Sequence, residues 1–174
     1  MSILPEAAKA YIGMQTEIEI ACDVVERGAV RRYAQAIMDD DPAYYGEGPG
    51  AERYGDAVAP LIFPTHMFRR PFGAPDPLQE KASDPDFDGS GISTTQGLPE
   101  IEPLRHLAVL NGGSDIEFRR YARHGETVKL RSRYADIVEK QTSKGAIVLV
   151  FIESDYLGGA DELLCRVRRT YIRR

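Results

Sequence analysis

The stretch GAVRRYAQAIMDDDPAYY, from Gly28 to Tyr45, decides the fold that the sequence predicts. Its first part carries apolar residues at the spacing of one helical face, at Val30, Tyr33, Ala34, Ile37 and Met38. Three aspartates follow, and then Pro42, which cannot continue a helix. We therefore expect one buried helix with a polar end, and we expect any chemistry to take place at that end.

The composition indicates a soluble globular protein. The chain has 174 residues, of which 43% are hydrophobic and 28% are charged, and its formal net charge is −5. This negative charge argues against nucleic acid as the main partner, because phosphate binding needs a basic surface. The sequence has no run of about 20 apolar residues that would span a membrane, and its N-terminus lacks the apolar core of a signal peptide. These features predict a cytoplasmic location.

One segment near the N-terminus and the last seventy residues of the chain are predicted to form strands. Alternating or β-branched apolar patterns occur at 14–22, 104–110, 114–120, 127–138, 146–156 and 163–172. In the first of these, Ile18, Ile20 and Cys22 are expected to face the core. The later strands are expected to pair in chain order. One helix beside such a sheet predicts the α+β class, and a homodimer or heterodimer would cover the open edges of the sheet.

The connections are predicted to lie within a single domain spanning 1–174. Residues 46–57 are glycine-rich and polar and are expected to be a loop. Residues 58–68 are apolar but interrupted by two prolines, which predicts a short buried segment followed by a helical turn. Residues 71–103 are rich in proline and glycine. A loop of that length usually acts as a lid, a binding loop or an interface arm.

Cysteine and histidine positions give little sign of a metal or redox site. Cys22 and Cys165 lie in strand patterns without CxxC spacing, so we expect two buried, free thiols. His124 lies in a polar turn and is expected to be exposed. No His, Asp and Glu grouping has the spacing of metal ligands, so no metal is predicted.

Two segments resemble a known family. APLIFPT at 59–65 and FRRYARHGETV at 118–128 are similar to segments of MaoC-like dehydratases, the second to a strand and turn of the form F-x-R-P-x-x-x-G-D-x-[LV]. From about residue 12 onward the chain resembles the N-terminal, FAS1-like type of MaoC-like domain found in 3-hydroxyacyl-thioester dehydratases. The resemblance implies a hot-dog fold, in which a long antiparallel sheet wraps around one central helix.

The family carries out reversible hydration or dehydration of an acyl thioester borne by CoA or acyl carrier protein, without a further cofactor. Its active members use an aspartate and a histidine in a G-D-x-N-P-x-H motif at the end of the helix. Here Asp39 stands at the aspartate position and Pro42 at the proline position, but Tyr44 replaces the histidine. A tyrosine, with an unperturbed pKa of about 10, is a poor base for a proton transfer that histidine performs near neutral pH.

This replacement resembles the first subunit of two-part dehydratases. In those enzymes a degenerate hot dog shapes the acyl channel and pairs with a second MaoC-like subunit that carries the catalytic pair. We therefore expect a component of an enoyl-CoA hydratase or 3-hydroxyacyl dehydratase in fatty acid or polyketide metabolism. Two alternatives remain open. One is a non-catalytic acyl-CoA-binding or scaffold module, and the other is a hot-dog thioesterase, for which Glu26 and Gln35 do not obviously supply the acid.

The resemblance also gives candidate site residues. The catalytic candidates are Asp39, Tyr44 and His66, and the substrate-binding candidates are Pro60, Phe63, Asn111, Gly112, Gly113 and Arg119. The backbone N–H groups of Gly112 and Gly113 would polarise a thioester carbonyl, and Arg119 would hold a CoA phosphate. Each role has a structural alternative: a solvated turn for Asp39, a buried or interface histidine for His66, a β-bulge for the glycines, and a charged solvent face for Arg119.

Overall fold

A computed structural model describes residues 2–68, 71, 73–75, 81–86 and 97–174. The helices are α1 (Glu6–Lys9), α2 (Arg27–Ile37) and α3 (Gly48–Tyr54), and short 3-10 turns occur at Pro42–Tyr45, Phe63–His66 and Glu102–Leu104. The strands are β1 (Glu19–Ile20), β2 (Val109–Phe118), β3 (Lys129–Thr142), β4 (Gly145–Leu157) and β5 (Leu163–Arg173). The predicted α+β architecture with one long antiparallel sheet is therefore confirmed. Among the described residues, no helix is long and apolar enough to cross a membrane.

The sheet has the strand order β1-β3-β4-β5-β2, and all its pairings are antiparallel. The meander of β3, β4 and β5 confirms the predicted pairing of these strands. The pairing predicted for β2 is wrong, because β2 lies beside β5 rather than beside β3. Leu104 to Ala108 form a turn instead of the predicted strand. After this turn, β2 joins the sheet at the edge next to β5.

Strand β2 contains the predicted bulge. Its register against β5 shifts between Asn111 and Ser114, so the glycine pair interrupts a single strand instead of separating two strands. Gly112 lies very close to β5. A Cβ atom at this position would come within 2.9 Å of the Thr170 carbonyl oxygen and 3.2 Å of the Ile172 side chain.

Substituting Gly112 with alanine is expected to lower the free energy of unfolding by about 1–3 kcal/mol, because the added methyl group meets backbone that cannot move aside. Chemical denaturation of both proteins measures the change. Gly159→Ala is the matched control, since no atom lies within 4 Å of a Cβ atom at that turn position. An equal loss of stability in both variants would show that close packing at Gly112 is not the cause.

Helix α2 lies against the sheet through only part of its apolar face. Val30 and Ala34 are buried in a cluster that includes Val128 and Leu164 of the sheet side. At the end of the helix, Ile37 is 43% exposed and Met38 is 92% exposed. The prediction of a buried helix is thus right for its first two turns and wrong for its end, where no described residue covers these two apolar side chains.

The N-terminal strand differs most from its prediction. Only Glu19 and Ile20 form β1, which pairs with β3. Ile18 and Ile20 are 47% and 60% exposed and Cys22 is also exposed, whereas Ala21 is buried. The predicted inward face is therefore wrong, because both residues of β1 are exposed and neither of its faces is buried. Cys165 is buried as predicted, and the two cysteines do not form a disulfide.

Two connections contain more structure than predicted. The glycine-rich segment 46–57 was expected to be a loop, but it forms α3, whose Tyr54 ring lies 4.8 Å from that of Tyr121. Of the predicted loop at 71–103, residues 72, 76–80 and 87–96 lie outside the described residues. Its end is anchored, since Leu98 and Ile101 are buried and the Tyr134 hydroxyl donates to the Pro99 carbonyl at 2.7 Å.

Candidate functional site

Asp39 and Tyr44 are held together by the turn that follows α2. Met38 adopts a left-handed conformation (φ 57°), and the Asp39 N–H donates to the Ala34 carbonyl at 3.0 Å, which closes the helix. Asp41 then caps the turn at Pro42–Tyr45 by accepting from the Ala43 N–H at 2.9 Å. This local geometry brings the Tyr44 hydroxyl to the Asp39 carboxylate, to which it donates at 2.8 Å.

The environment of Tyr44 keeps its phenol protonated. Burial raises the pKa of Tyr44 well above its usual value, and the hydrogen bond to Asp39 and the negative charges of Asp39 and Asp41 raise it further. A phenol of this kind donates a hydrogen bond at neutral pH but does not accept a proton. The group that stands where the histidine is expected therefore acts as a hydrogen-bond donor to the carboxylate.

Tyr121 and Tyr54 extend this group of tyrosines. Burial raises the pKa of Tyr121, and the neighbouring Tyr54 and the charges of Asp41 and Asp39 add to the shift. The sequence analysis did not select these two tyrosines. The signal that pointed to Tyr121 is its place in the FRRYARHGETV segment, at the position of the family's proline.

His66 and Phe63 lie together, in a cavity separate from that of Asp39. Their cavity has a volume of about 360 Å³ and is also lined by Tyr33 and Met67, and the His66 and Tyr33 rings are 4.8 Å apart. Asp39 lines a different cavity, of about 250 Å³. Pro60 is buried, and its carbonyl accepts from the Phe63 N–H at 2.8 Å. The candidate catalytic residues are thus divided between two places.

Asn111, Gly112 and Gly113 are exposed on the edge strand β2. The Gly113 N–H, one of the two groups proposed to polarise a thioester carbonyl, donates to the Asn111 side-chain oxygen at 2.9 Å. Arg119 follows β2, forms an ion pair with Glu117 and lines a further cavity of about 330 Å³. Among the described residues, those that line the Asp39 cavity include neither the bulge residues nor Arg119.

An ion cluster fixes the connection between β2 and β3. Arg120 contacts the Glu126 carboxylate at 2.5 Å and also forms an ion pair with Glu162. Glu126 in addition accepts from the backbone N–H groups of Arg123 at 2.9 Å and Gly159 at 3.3 Å. Burial would raise the pKa of Glu126, but its hydrogen bonds and the charge of Arg120 outweigh that effect and hold the pKa below its usual value.

His124 lies in the turn of the same connection and was predicted to be exposed, but this prediction is wrong. It is half-buried, and within the described part of the chain its buried Nε2 atom has no hydrogen-bond partner. Burial lowers the pKa of His124, Asp56 opposes this shift and Arg27 adds to it. The fold therefore holds a neutral imidazole.

We expect acid to destabilise the protein through His124. Because the pKa is lower in the folded than in the unfolded state, the unfolded chain binds the proton first, and stability falls as the pH drops below about 6.5. A thermal unfolding series between about pH 7.5 and pH 5.5 should show a smaller decrease of Tm in His124→Leu than in the parent protein. His106→Gln, at an exposed position, should keep the full decrease. An unchanged pH dependence in His124→Leu would contradict the prediction.

Comparisons with known proteins agree with this architecture. Residues 10–167 match the family model described as FAS1-like, dehydratase domain region. A search among curated proteins found no match. Among solved structures, the ChsH1–ChsH2 complex from Mycobacterium tuberculosis is 20% identical, with a TM-score of 0.66 over 96% of this chain and 88% of that chain. The HadBC (3R-hydroxyacyl-ACP dehydratase) complex from the same organism, truncated at its C terminus, is 19% identical, with a TM-score of 0.53 over 93% and 96% of the chains.

A third similar structure is the R-hydratase PhaJ1 from Pseudomonas aeruginosa, which is 10% identical, with a TM-score of 0.53 over 92% of this chain and 79% of that chain. At these identities the likeness shows the fold, and it confirms the predicted hot dog. The family model covers most of the sequence, from residue 10 to residue 167. The chain therefore belongs to the FAS1-like dehydratase family of MaoC-like hot-dog proteins.

Proposed function

We propose that this chain is the degenerate subunit of a two-part acyl-thioester hydratase or 3-hydroxyacyl-thioester dehydratase. In this role it shapes the acyl channel, and a second hot-dog subunit supplies the catalytic aspartate and histidine. One observation carries the proposal. The residue at the position of the family's histidine is Tyr44, whose hydroxyl donates to Asp39 at 2.8 Å.

The chemistry explains why this pair does not suffice. Adding water to an enoyl thioester requires a group that takes a proton from the water and a group that delivers one to C2, next to the carbonyl. Both tasks need a pKa near the working pH. The raised pKa of Tyr44 moves it away from that range, and its proton is already shared with Asp39. The Asp39–Tyr44 pair is therefore assigned a structural role at the end of α2.

The exposed edge strand supports a second subunit. β2 is ten residues long, and Ile116 and Phe118 on it are 36% and 41% exposed. In the sheet these two residues pair with Val167 and Cys165 of β5, which are buried. Ile116 and Phe118 therefore extend the apolar inner face of the sheet to an edge where it is partly exposed. The two solved complexes above each join two named components, ChsH1 with ChsH2 and the two parts of HadBC. We assign the β2 edge to the partner subunit.

The cavity around Phe63 and His66 is assigned to the acyl group. Tyr33, Phe63 and Met67 form a wall that suits an acyl chain. The charged side chains of Asp23, Glu26 and Arg32 also line this cavity. Buried Pro60 lies shortly before this turn, and its carbonyl accepts a hydrogen bond from the Phe63 N–H. In this arrangement His66 contacts the substrate without being the base, and Asn111, Gly112 and Gly113 lie at the edge that faces the partner.

The test compares the chain alone with its complex with a MaoC-like partner that has an intact D-x-N-P-x-H motif. Hydration of crotonyl-CoA is followed by the loss of enoyl absorbance. We expect turnover by the complex and none by the chain alone. Changing the partner's histidine to alanine should lower kcat by about 10²–10⁴-fold, the usual contribution of a general acid or base. Tyr44→Phe in this chain should change kcat by no more than about twofold, because it removes no proton carrier.

Two outcomes would overturn the proposal. Equal turnover by the isolated chain and the complex would show that the catalytic groups lie in this subunit, and a large loss in Tyr44→Phe or His66→Gln would then identify them. A complex that binds acyl thioesters but never turns them over would instead support the alternative of a scaffold or binding module.

A further inference from the structure

One face of the sheet carries charged side chains in two rows that cross four strands. We call it the outer face, because the buried clusters of the chain lie on the opposite side of the sheet. In the first row the cross-strand neighbours are Arg131 of β3, Asp155 of β4, Arg166 of β5 and Glu117 of β2. Two residues further along the strands, the second row consists of Arg133, Glu153, Arg168 and Asp115. Both rows therefore alternate positive and negative charge in the same order.

Ion pairs within the chain fix the middle of each row. Arg166 donates to both oxygens of the Asp155 carboxylate, at 2.6 and 2.9 Å. Glu153 accepts from the arginines on either side of it, at 2.6 and 2.8 Å. At the ends of the rows, Arg131 and Asp115 are exposed, and neither forms an ion pair with a described residue. The rows are thus rigid in the middle and keep unpaired charge at their ends.

An apolar row crosses the same face further along the strands. Its members are Val138 of β3, Leu149 of β4, Ile172 of β5 and Leu110 of β2. All four are at least partly exposed, Leu110 to 38%, and none belongs to a buried cluster among the described residues. A face that contacts only water gains nothing from aligned apolar side chains. The apolar row therefore indicates that a second surface covers the outer face.

A second copy of this chain has the matching pattern. A two-fold axis parallel to the strands, between β4 and β5, places the strands β3-β4-β5-β2 of one copy over β2-β5-β4-β3 of the other. Arg131 then faces Glu117 of the second copy, Asp155 faces Arg166, and the apolar rows face each other. A two-fold axis across the strands would instead lay the first charged row over the second, with like charges opposed. The charge order therefore selects one arrangement.

We propose that two copies of this chain pack outer face to outer face around this two-fold axis. Packed sheets lie about 10 Å apart with their strands within about 30° of each other, a gap that long Arg and Glu side chains from both sides fill. Four strands about 4.8 Å apart, over the ten residues of β2, give a plane of roughly 19 by 34 Å. This area of roughly 650 Å² falls within the 600–1,000 Å² that each side of a specific interface buries.

The contact is separate from the edge assigned to the catalytic partner. It uses the side chains of the outer face, whereas a neighbouring subunit at β2 would use the inner face and the edge of the sheet. Each copy therefore keeps its β2 edge open for the partner. The inference does not depend on the proposed function, because it concerns two copies of this chain alone.

Sedimentation velocity of the full chain carrying Ile116→Asp tests the proposal, since this change removes association through β2. The variant should still form a dimer. Added to it, Arg131→Glu and Glu117→Arg should each raise the dimer Kd at least about tenfold, because like charges then face each other at two symmetric places. The two changes together exchange the charges and should restore Kd to within about threefold. Arg31→Glu, at an exposed position on α2, is the control and should leave Kd unchanged.

Recovery in the combined variant cannot arise within one chain. Three strand spacings, about 14 Å, separate Arg131 from Glu117 in the same sheet, which exceeds the Debye length of about 8 Å at physiological salt. Recovery would therefore report a contact between copies, and it would also show that the variants fold.

Three results would overturn the inference. The first is a monomeric Ile116→Asp chain, and the second is a dimer whose Kd neither charge reversal changes. The third is a loss of affinity in the single variants that the combined variant does not recover, which would exclude this two-fold arrangement. Failure of the proposed function is distinguished by the hydration assay. A complex of one copy of each subunit that hydrates crotonyl-CoA would retain the function and refute the outer-face contact.

Discussion

Glu126→Ala is expected to lower the free energy of unfolding by about 2–3 kcal/mol, which is at the upper end of the usual range for a single substitution. The Glu126 side chain is only 14% exposed, and it satisfies the Arg120 guanidinium and two backbone N–H groups at once. Its removal leaves Arg120, itself 30% exposed, with a half-buried and poorly compensated charge. Urea denaturation of the parent and variant proteins measures the loss.

Glu162→Ala is the matched control for this experiment. Glu162 contacts the same arginine but is 44% exposed, so its removal should cost less than about 1 kcal/mol. A similar cost for both glutamates would show that the Arg120 charge, rather than the buried hydrogen bonds of Glu126, determines stability. Gly158 is part of the same arrangement, because a Cβ atom there would collide with Arg120 and Glu126.

The pH dependence of this cluster has a definite sign. The pKa of Glu126 is lower in the folded state than in the unfolded chain. Its contribution is therefore complete above the unfolded value of about 4.3 and is lost as the pH falls through the folded value. In Glu126→Ala this acid-dependent loss should disappear, while the separate loss caused by His124 at higher pH should remain.

The long strands were predicted from the sequence because they depend on local patterns, and Asp39 and Tyr44 were selected by their positions in the family motif, although their contact was not predicted. β3 and β4 each contain ten or more residues of alternating or β-branched character, a pattern that indicates a strand. Asp39 and Tyr44 are joined by one proline turn, so their contact follows from the turn geometry alone. Features of this kind need no knowledge of the rest of the chain.

The errors occurred where tertiary packing decides the structure. The segment of α3 has the glycine and proline content of a loop, yet Tyr54 packs on Tyr121, which is distant in the sequence. The cavity lined by Arg119 likewise brings Arg53 and Arg123 together. No local pattern brings such residues together. Ile20 and Ile37 show the same limit. Their sequence patterns predict buried side chains, but a pattern does not identify the surface that would cover them.

The second large effect is expected at the β2 edge. Ile116→Asp should weaken assembly with the partner subunit by about 100-fold or more, because a carboxylate would replace an apolar side chain at the centre of the joined sheets. β2 is the favoured edge because it offers ten residues, whereas β1 at the opposite edge has only two. Ile116 is already 36% exposed in the single chain, so the stability of the isolated subunit should change little.

Size-exclusion chromatography with light scattering measures this assembly, and crotonyl-CoA hydration should decrease in proportion to the complex that is lost. Ile20→Asp is the control, since Ile20 is an exposed apolar residue on the other edge, 60% accessible. If the complex stays intact with Ile116→Asp and is disrupted with Ile20→Asp, the interface lies at β1 instead of β2. Loss of assembly with Ile116→Asp alone would mean that the apolar inner face of the sheet continues from this chain into its partner. That is the arrangement in which a subunit with Tyr44 in place of histidine contributes to a complete active site.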